Sequence, residues 1–164
     1  MNFLVIGLAA LVPTAVGFIW YHPKVLGTAW IKAAGLSEEK LKSANMPLIL
    51  GLSLLFSFML SIIMSGIVIH QASIQSVVMG DPDLQDPNSA LSIMLKDFMA
   101  KYGTNFRTFK HGVLHGVIAG LFFALPVVGM NSLFERKSFQ YIAIHAGYWT
   151  VTLGLMGGII CQFA

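Results

Sequence analysis

Four long apolar segments dominate the pattern of hydrophobic and polar positions along the chain. They cover about residues 2–21, 48–71, 108–132 and 139–163. Each holds roughly the 20 apolar residues that an α-helix needs to cross a bilayer. The second belongs to a longer stretch, 46–80, without Asp, Glu, Lys or Arg, so its helix is expected to continue beyond the membrane surface. The pattern predicts an all-α integral membrane protein, a four-helix bundle forming a single domain over residues 1–164.

The connections between these segments contain amphipathic stretches that are too polar to span a membrane. Residues 23–34 place Lys24 and Lys32 off an otherwise apolar helical face, which is typical of a helix lying in the interface. The extramembrane region 72–107 begins with an acidic loop at 81–86. It then shows helical spacing of apolar residues over about 87–102, with Asp86 and Pro87 as the expected cap and first turn. Both stretches therefore predict amphipathic helices at the membrane surface.

Small residues recur every four positions in the second and third apolar segments, which places them along one face of each helix. Membrane helices associate where small residues let their backbones approach closely. We therefore expect the two faces to dock against each other, crossing at about −40°, and Pro126 to kink the third helix. The two ridges consist of Gly112, Gly116, Gly120 and Ala124 in the third segment and of Ser53, Ser57, Ser61 and Ser65 in the second.

Composition supports the membrane assignment and narrows the partners. Hydrophobic residues make up 56% of the chain and charged residues 10%, against about 25% charged in soluble domains. The net charge of +3 is explained by lysines and arginines in loops, so we expect a lipid bilayer and no nucleic acid as partner. Much small and apolar surface also predicts a homo-oligomer. A single cysteine, Cys161, excludes a disulfide framework and a cysteine zinc cluster.

The distribution of lysine and arginine predicts the orientation. The loops 22–47 and 133–138 together hold six of these residues, and the long loop holds four. Because cytoplasmic loops are enriched in lysine and arginine, the first pair of loops is expected in the cytoplasm and both termini outside the cell membrane.

Histidines are the only titratable side chains near the membrane interior with a spacing suited to a metal. His111 and His115 are four residues apart on one helical face, and His70 ends the preceding span on the same side. Three imidazoles at one membrane surface would suit zinc, copper or a haem iron. The alternative is that histidines at helix ends bond only to water and backbone carbonyls. No glutamate lies between His111 and His115, so the HExxH motif of metalloproteases is absent.

Trp20-Tyr21-His22-Pro23 opens a motif that resembles the Trp-Tyr-x-Pro signature of an uncharacterised family of small membrane proteins, a domain of unknown function. The motif continues through Leu26-Gly27 and Trp30 to residues 32–36, and the resemblance extends to 131–135 and 145–148. Leu26 stands where the family often has Phe. The resemblance implies four spanning helices and brings no established activity. We interpret Trp20, Tyr21, Pro23 and Trp30 as interfacial rings around a rigid turn, with direct ligand binding as the alternative.

The residues favour no reaction. We find no nucleophile motif, phosphate loop or paired carboxylate, so we expect no enzyme. The leading hypothesis is a small oligomeric transporter or channel, or a bundle that binds lipid or another small ligand. The absence of deep charged residues argues against a charge-driven transporter. The alternatives are a metal- or haem-binding membrane protein using His70, His111 and His115, and a non-catalytic scaffold or accessory subunit.

Overall fold

The computed structural model describes residues 2–164, and all regular structure among them is helical. Four helices are long and apolar enough to cross a membrane, and we call them spanning helices 1 to 4 in chain order. Their bounds are Phe3–Trp20, Met46–Val68, Phe109–Phe134 and Phe139–Phe163. The predicted fold class, an all-α membrane protein with four spans, is confirmed, and the chain is a multi-pass membrane protein.

Spanning helices 1 and 3 each consist of more than one regular segment, and shorter helices connect the spans. In chain order the α-helices are α1 (Phe3–Ala9), α2 (Val12–Trp20), α3 (Thr28–Ala34), α4 (Glu38–Lys42), α5 (Met46–Val68), α6 (His70–Val77), α7 (Ala90–Tyr102), α8 (Phe109–Ala119), α9 (Leu125–Phe134) and α10 (Phe139–Phe163). The amphipathic helix expected from residue 87 begins at Ala90 instead. Ser89, rather than Asp86, is its cap and accepts a hydrogen bond from the Ser92 N–H at 3.1 Å.

Spanning helix 4 lies at the centre of the bundle. More than half of its apolar window, 56%, is buried, compared with 22% or less for each of the other three spans. Its partners are the inner faces of spanning helices 1 and 2 and the glycine face of α8. The buried core cluster consists of Ala9, Met64, Val68, Ile69, Leu153, Met156, Ile160 and Cys161. Helix 4 is thus the element against which the others pack.

The glycine ridge of α8 docks against spanning helix 4, so the prediction that it meets the serine ridge is wrong. A Cβ atom on Gly112 would collide with the Gly157 carbonyl oxygen, and one on Gly116 with the Leu153 carbonyl oxygen. A Cβ atom on Gly120 would collide with the Thr150 Cα. The spacing of small residues identified the docking face, but spanning helix 4 also has glycines on its facing side, and the two backbones approach each other there.

The serine ridge of α5 faces the core over most of its length. Ser57, Ser61 and Ser65 are buried, whereas Ser53 is exposed. The Ser61 hydroxyl donates to the Phe58 carbonyl within its own helix at 2.8 Å. The ridge therefore buries small side chains against spanning helices 1 and 4, and the hydroxyls of Ser61 and Ser65 donate to carbonyls of their own helix.

Two irregularities shape the ends of the bundle. The helix that was expected to run unbroken past residue 68 is interrupted at Ile69, whose φ of −106° and ψ of 89° are not helical. In spanning helix 3, a π-helical turn at Gly120–Ala124 precedes Pro126. In a regular α-helix the proline ring would clash with the carbonyl group one turn earlier. The wider π-helical turn makes room for the ring. The first irregularity bears directly on the candidate site.

Candidate metal centre

His70, His111 and His115 converge at one end of the bundle. The Nε2 atom of His70 lies 2.9 Å from Nε2 of His111 and 3.2 Å from Nε2 of His115. One ligand nitrogen from each of the three rings falls within 4.8 Å of the others. His111 and His115 are half-buried and His70 is exposed. The arrangement is therefore a compact cluster of three imidazole nitrogens that water can reach.

Local backbone structure sets the direction of each ring. His111 and His115 lie one turn apart near the start of α8, and the Thr108 hydroxyl caps this helix by accepting from the His111 N–H at 3.3 Å. The break at Ile69 lets α6 start in a new direction with His70 as its first residue. A continuous helix would have carried His70 onward along the axis of α5. The interruption thus orients His70 towards the other two rings.

Four hydrogen bonds hold the loop between α7 and α8 beside the cluster. The buried Gln71 side-chain amide donates to the carbonyls of Tyr102, at 3.0 Å, and Asn105, at 2.9 Å. The Arg107 guanidinium donates to the carbonyls of Cys161, at 2.7 Å, and Ala164, at 2.9 Å. These bonds satisfy loop carbonyls and the last carbonyls of spanning helix 4, which a helix end leaves without partners. Loop, α6 and helix 4 are therefore joined beside the histidines.

The Cys161 thiol connects the same elements from the inside. Its sulfur lies 3.4 Å from the carbonyl oxygen of Val68 and 3.3 Å from that of Phe106. Val68 is the last residue of α5, so the thiol reaches a carbonyl that the break at Ile69 exposes. This cysteine is fully buried and serves packing.

An apolar cavity of about 430 Å³ borders the cluster. Its walls come from His70 and Ile74 of α6, from Phe98 of α7 and from Phe106 in the loop. The Phe106 ring also stacks on the His111 ring with centroids 5.1 Å apart and planes at 29°. Phe106 has a φ of 61°, which is rare for a bulky residue and indicates that the surrounding contacts impose its position.

Two of the three nitrogen separations are close to those of a tetrahedral metal site, and the full set lies within 4.8 Å. Zinc–nitrogen bonds of about 2.0–2.1 Å place the nitrogens of a tetrahedral site about 3.3 Å apart. The His70 separations of 2.9 and 3.2 Å are close to this value. Without an ion, one proton on His70 Nε2 can serve only one of its two neighbours at a time. A cation would accept all three lone pairs together and leave a fourth position for water.

The opposite end of the bundle contains a second aromatic and polar cluster, which includes the motif around Trp20. The Trp20 indole donates to the Ile144 carbonyl at 3.0 Å, and the Trp30 indole donates to Nε2 of His145 at 3.3 Å. Since that nitrogen accepts, a neutral His145 carries its proton on Nδ1 and donates it to the Tyr21 hydroxyl 3.0 Å away. Burial raises the pKa of Tyr21, so its phenol stays protonated.

These bonds show that the motif around Trp20 packs inside the bundle, in addition to the predicted placement of its aromatic rings at the membrane interface. Pro23 begins the π-helical turn Pro23–Gly27 that leads into α3, and Gly27 is buried against the Tyr21 carbonyl. The rings of Trp20, Tyr21 and Trp30 are only partly exposed and contact spanning helix 4. The motif therefore attaches spanning helix 1 and α3 to the central helix.

Sequence reasoning missed Gln71, Phe106 and Arg107. Gln71 ends an apolar span, and Arg107 directly precedes a span. Polar residues are ordinary at the ends of spans, so neither residue stands out in the sequence. Their partners are backbone carbonyls that lie far away along the chain, so no residue type marks them. Phe106 has no signal in the sequence because its position depends on an unusual backbone conformation.

The family comparison agrees with this architecture. No curated protein and no solved structure matches the chain significantly. A family model described as a protein of unknown function, DUF1761, matches residues 4–161. The match covers all four spanning helices, both clusters and the loops between them. The chain therefore belongs to the DUF1761 family, whose function is unknown.

Proposed function

We propose that this membrane protein binds one transition-metal ion, zinc or copper, through His70, His111 and His115. The observation that carries the proposal is the convergence of three Nε2 atoms, two of them 2.9 and 3.2 Å from the third. Neutral imidazole is the commonest ligand for these metals. The ligands come from α6 and α8. The helix break at Ile69 orients His70, and the hydrogen bonds of Gln71 and Arg107 fix the neighbouring loop, which is the support that a preorganised site needs.

The spacing favours a bare ion over haem. Two axial haem ligands approach the iron from opposite faces of the porphyrin, so the ring system has to fit between them. His70 is too close to both partner nitrogens, at 2.9 and 3.2 Å, for a porphyrin to separate them. A small ion needs no such slot.

Transport and scaffold functions have weaker support from the geometry. Both cavities that we describe lie at the ends of the bundle, one beside the histidines and one beside the turn between α9 and α10. Neither of them runs along the bundle axis. An apolar ligand in the cavity beside His70 is compatible with the metal proposal and with the hypothesis of a bundle that binds lipid or another small ligand.

We further propose that the histidine end faces away from the cytoplasm. The loops at the other end hold six of the ten lysines and arginines of the chain, and cytoplasmic loops are enriched in these residues. In this orientation the site receives its ion from outside the cell membrane. Assembly into a homo-oligomer is part of the same proposal, because glycine and apolar faces remain on the outer surface.

Metal titration of the purified protein tests the proposal. The protein, stripped with a chelator in detergent, is expected to bind one equivalent of Zn²⁺ or Cu²⁺ by calorimetry and elemental analysis. Replacing His70, His111 or His115 by Gln should weaken binding by roughly 100-fold or more, since losing even a group that merely hydrogen-bonds a metal ligand costs about 10- to 100-fold.

The chain offers two matched histidine controls. His22 is exposed in the turn after spanning helix 1, and His145 belongs to the second cluster. His22→Gln and His145→Gln should bind the ion as tightly as the unmodified protein. Equal affinity in the triple variant of His70, His111 and His115 would overturn the metal proposal.

A further inference from the structure

A basic cavity lies at the end of the bundle opposite the histidines. Its volume is about 460 Å³, which is within the range of small-ligand sites. One wall is the end of α3, from Lys32 to Gly35, and the other is the turn between α9 and α10. These two walls are about a hundred residues apart in sequence. The site is separate from the histidine cluster and does not depend on the metal proposal.

The walls of this cavity are joined by a specific contact. The Lys137 ammonium donates to the Ala34 carbonyl at 2.9 Å and lies 5.6 Å from the centre of the Tyr141 ring. Ala34 is the last residue of α3, so the bond satisfies a carbonyl at a helix C-terminus. The cavity therefore has a defined shape between two attached elements.

Positive charge dominates the lining, and most of it has no partner. Lys32, Arg136 and Lys137 line the cavity, with Glu135 as the single acidic residue. Within residues 2–164, no hydrogen bond or ion pair engages the side chains of Lys32 or Arg136. Glu135 forms no ion pair with them either. Two free cations beside a third that is partly engaged favour a bound anion.

The backbone of the turn adds to this preference. Arg136 has a φ of 59°, a left-handed conformation at the end of α9 that glycine usually occupies. An arginine in this conformation is uncommon. Ser138 and Gln140, at the start of the 25-residue helix α10, border the same cavity, so the positive end of the helix dipole lies beside it.

We infer that this cavity binds a phosphate group. A guanidinium with its fork of donors, an ammonium and a helix N-terminus together match the several oxygens of phosphate. The cavity lies where α3 and the turn between spanning helices 3 and 4 meet the membrane surface. The phosphate therefore belongs either to an anionic phospholipid headgroup or to a soluble phosphate compound, and both use the same contacts.

Binding measurements with three probes test the inference on the full-length protein in detergent. The probes are short-chain phosphatidylglycerol, inorganic phosphate and a short-chain diacylglycerol that lacks phosphate. The Lys32→Gln/Arg136→Gln variant should bind the phosphate probes on the order of tenfold or more weakly, because hydrogen bonds to charged groups are lost. Phosphatidylglycerol binding alone would identify a headgroup site, and binding of inorganic phosphate would identify a soluble ligand.

Two further variants distinguish the cavity from general charge effects. Lys24→Gln/Lys40→Gln removes the same charge from exposed positions outside the cavity and should bind like the unmodified protein. Glu135→Gln removes the acidic residue and should tighten binding. Equal affinity in the two double variants, equal binding of diacylglycerol, or no binding of any probe would overturn the inference. Metal binding at the histidines, measured on the same variants, should not change.

Discussion

At the scale of single residues, the glycines differ sharply in what surrounds them. A Cβ atom on Gly116 would lie 2.7 Å from the Gly154 Cα and still closer to the Leu153 carbonyl. Gly66 in spanning helix 2 has no atom within 4 Å of the same position. The same residue type in two membrane helices thus marks a docking point in one case and a lipid-facing position in the other.

Gly116→Ala should therefore destabilise the protein. Because the added methyl group meets backbone rather than a movable side chain, the free energy of unfolding should fall by about 1–3 kcal/mol or more. Unfolding in mixed micelles measures this change, with Gly66→Ala as the control that should alter stability little. A Gly116→Ala protein as stable as the control would show that spanning helices 3 and 4 do not pack through this ridge.

At the scale of elements, α6 and the loop before α8 depend on one buried side chain. The Gln71 amide serves two loop carbonyls, those of Tyr102 and Asn105. Gln75, one turn later on the same helix, is exposed. The pair allows a comparison between a buried and an exposed glutamine in one short helix.

Gln71→Leu should loosen the loop at 103–106. The loop would lose two side-chain hydrogen bonds, each worth about 0.5–1.5 kcal/mol, although the Tyr102 carbonyl keeps the Asn105 N–H as a donor. Hydrogen exchange of the loop amides should accelerate, and metal affinity should fall because Phe106 and His70 are no longer held in place. Gln75→Leu should leave both measurements unchanged. Unaltered exchange in Gln71→Leu would contradict the proposed role of this bond.

The elements themselves were largely predictable, whereas their partners were not. Apolar length is dictated by the bilayer, so the predicted spans end within three residues of the observed ones. The four-residue spacing of His111 and His115, with His70 on the same side, already suggested a cluster. Spacing does not say which helix a glycine face meets, and Gly112 docks on Gly157 rather than on the serine ridge. The bonds of Gln71 and Arg107 depend on the folded geometry alone.

At the scale of the whole molecule, the two ends of the bundle differ in chemistry. One end presents imidazoles and an apolar cavity, and the other presents lysines and arginine around a polar cavity. Proteins with this asymmetry have a defined orientation in the membrane, since the basic end favours the cytoplasm. The single cysteine is fully buried, which gives a low background for thiol labelling.

Labelling of introduced cysteines should reveal the orientation. Ser43 and Asn88 are exposed positions at the basic end and at the histidine end, respectively. In intact cells, a membrane-impermeant maleimide should modify Asn88→Cys and leave Ser43→Cys unmodified until the membrane is opened. The reverse pattern would place the histidines in the cytoplasm. The unmodified protein, which has only Cys161, is the control and should remain unlabelled.

The histidine cluster joins positions that are 41 residues apart, His70 and His111. A bound ion would therefore act as a reversible crosslink that closes the segment between them into a ring. In a free chain, a crosslink over this length restricts the unfolded state and thereby stabilises the folded state by up to about 4 kcal/mol. If the proposed ion binds, this effect is expected to be smaller, because the bilayer already holds the two spanning helices near each other. Loss of the ion would then increase the mobility of the 71–110 segment, while the four spans stay inserted in the membrane. The supply of metal would therefore control how well ordered this extramembrane segment is.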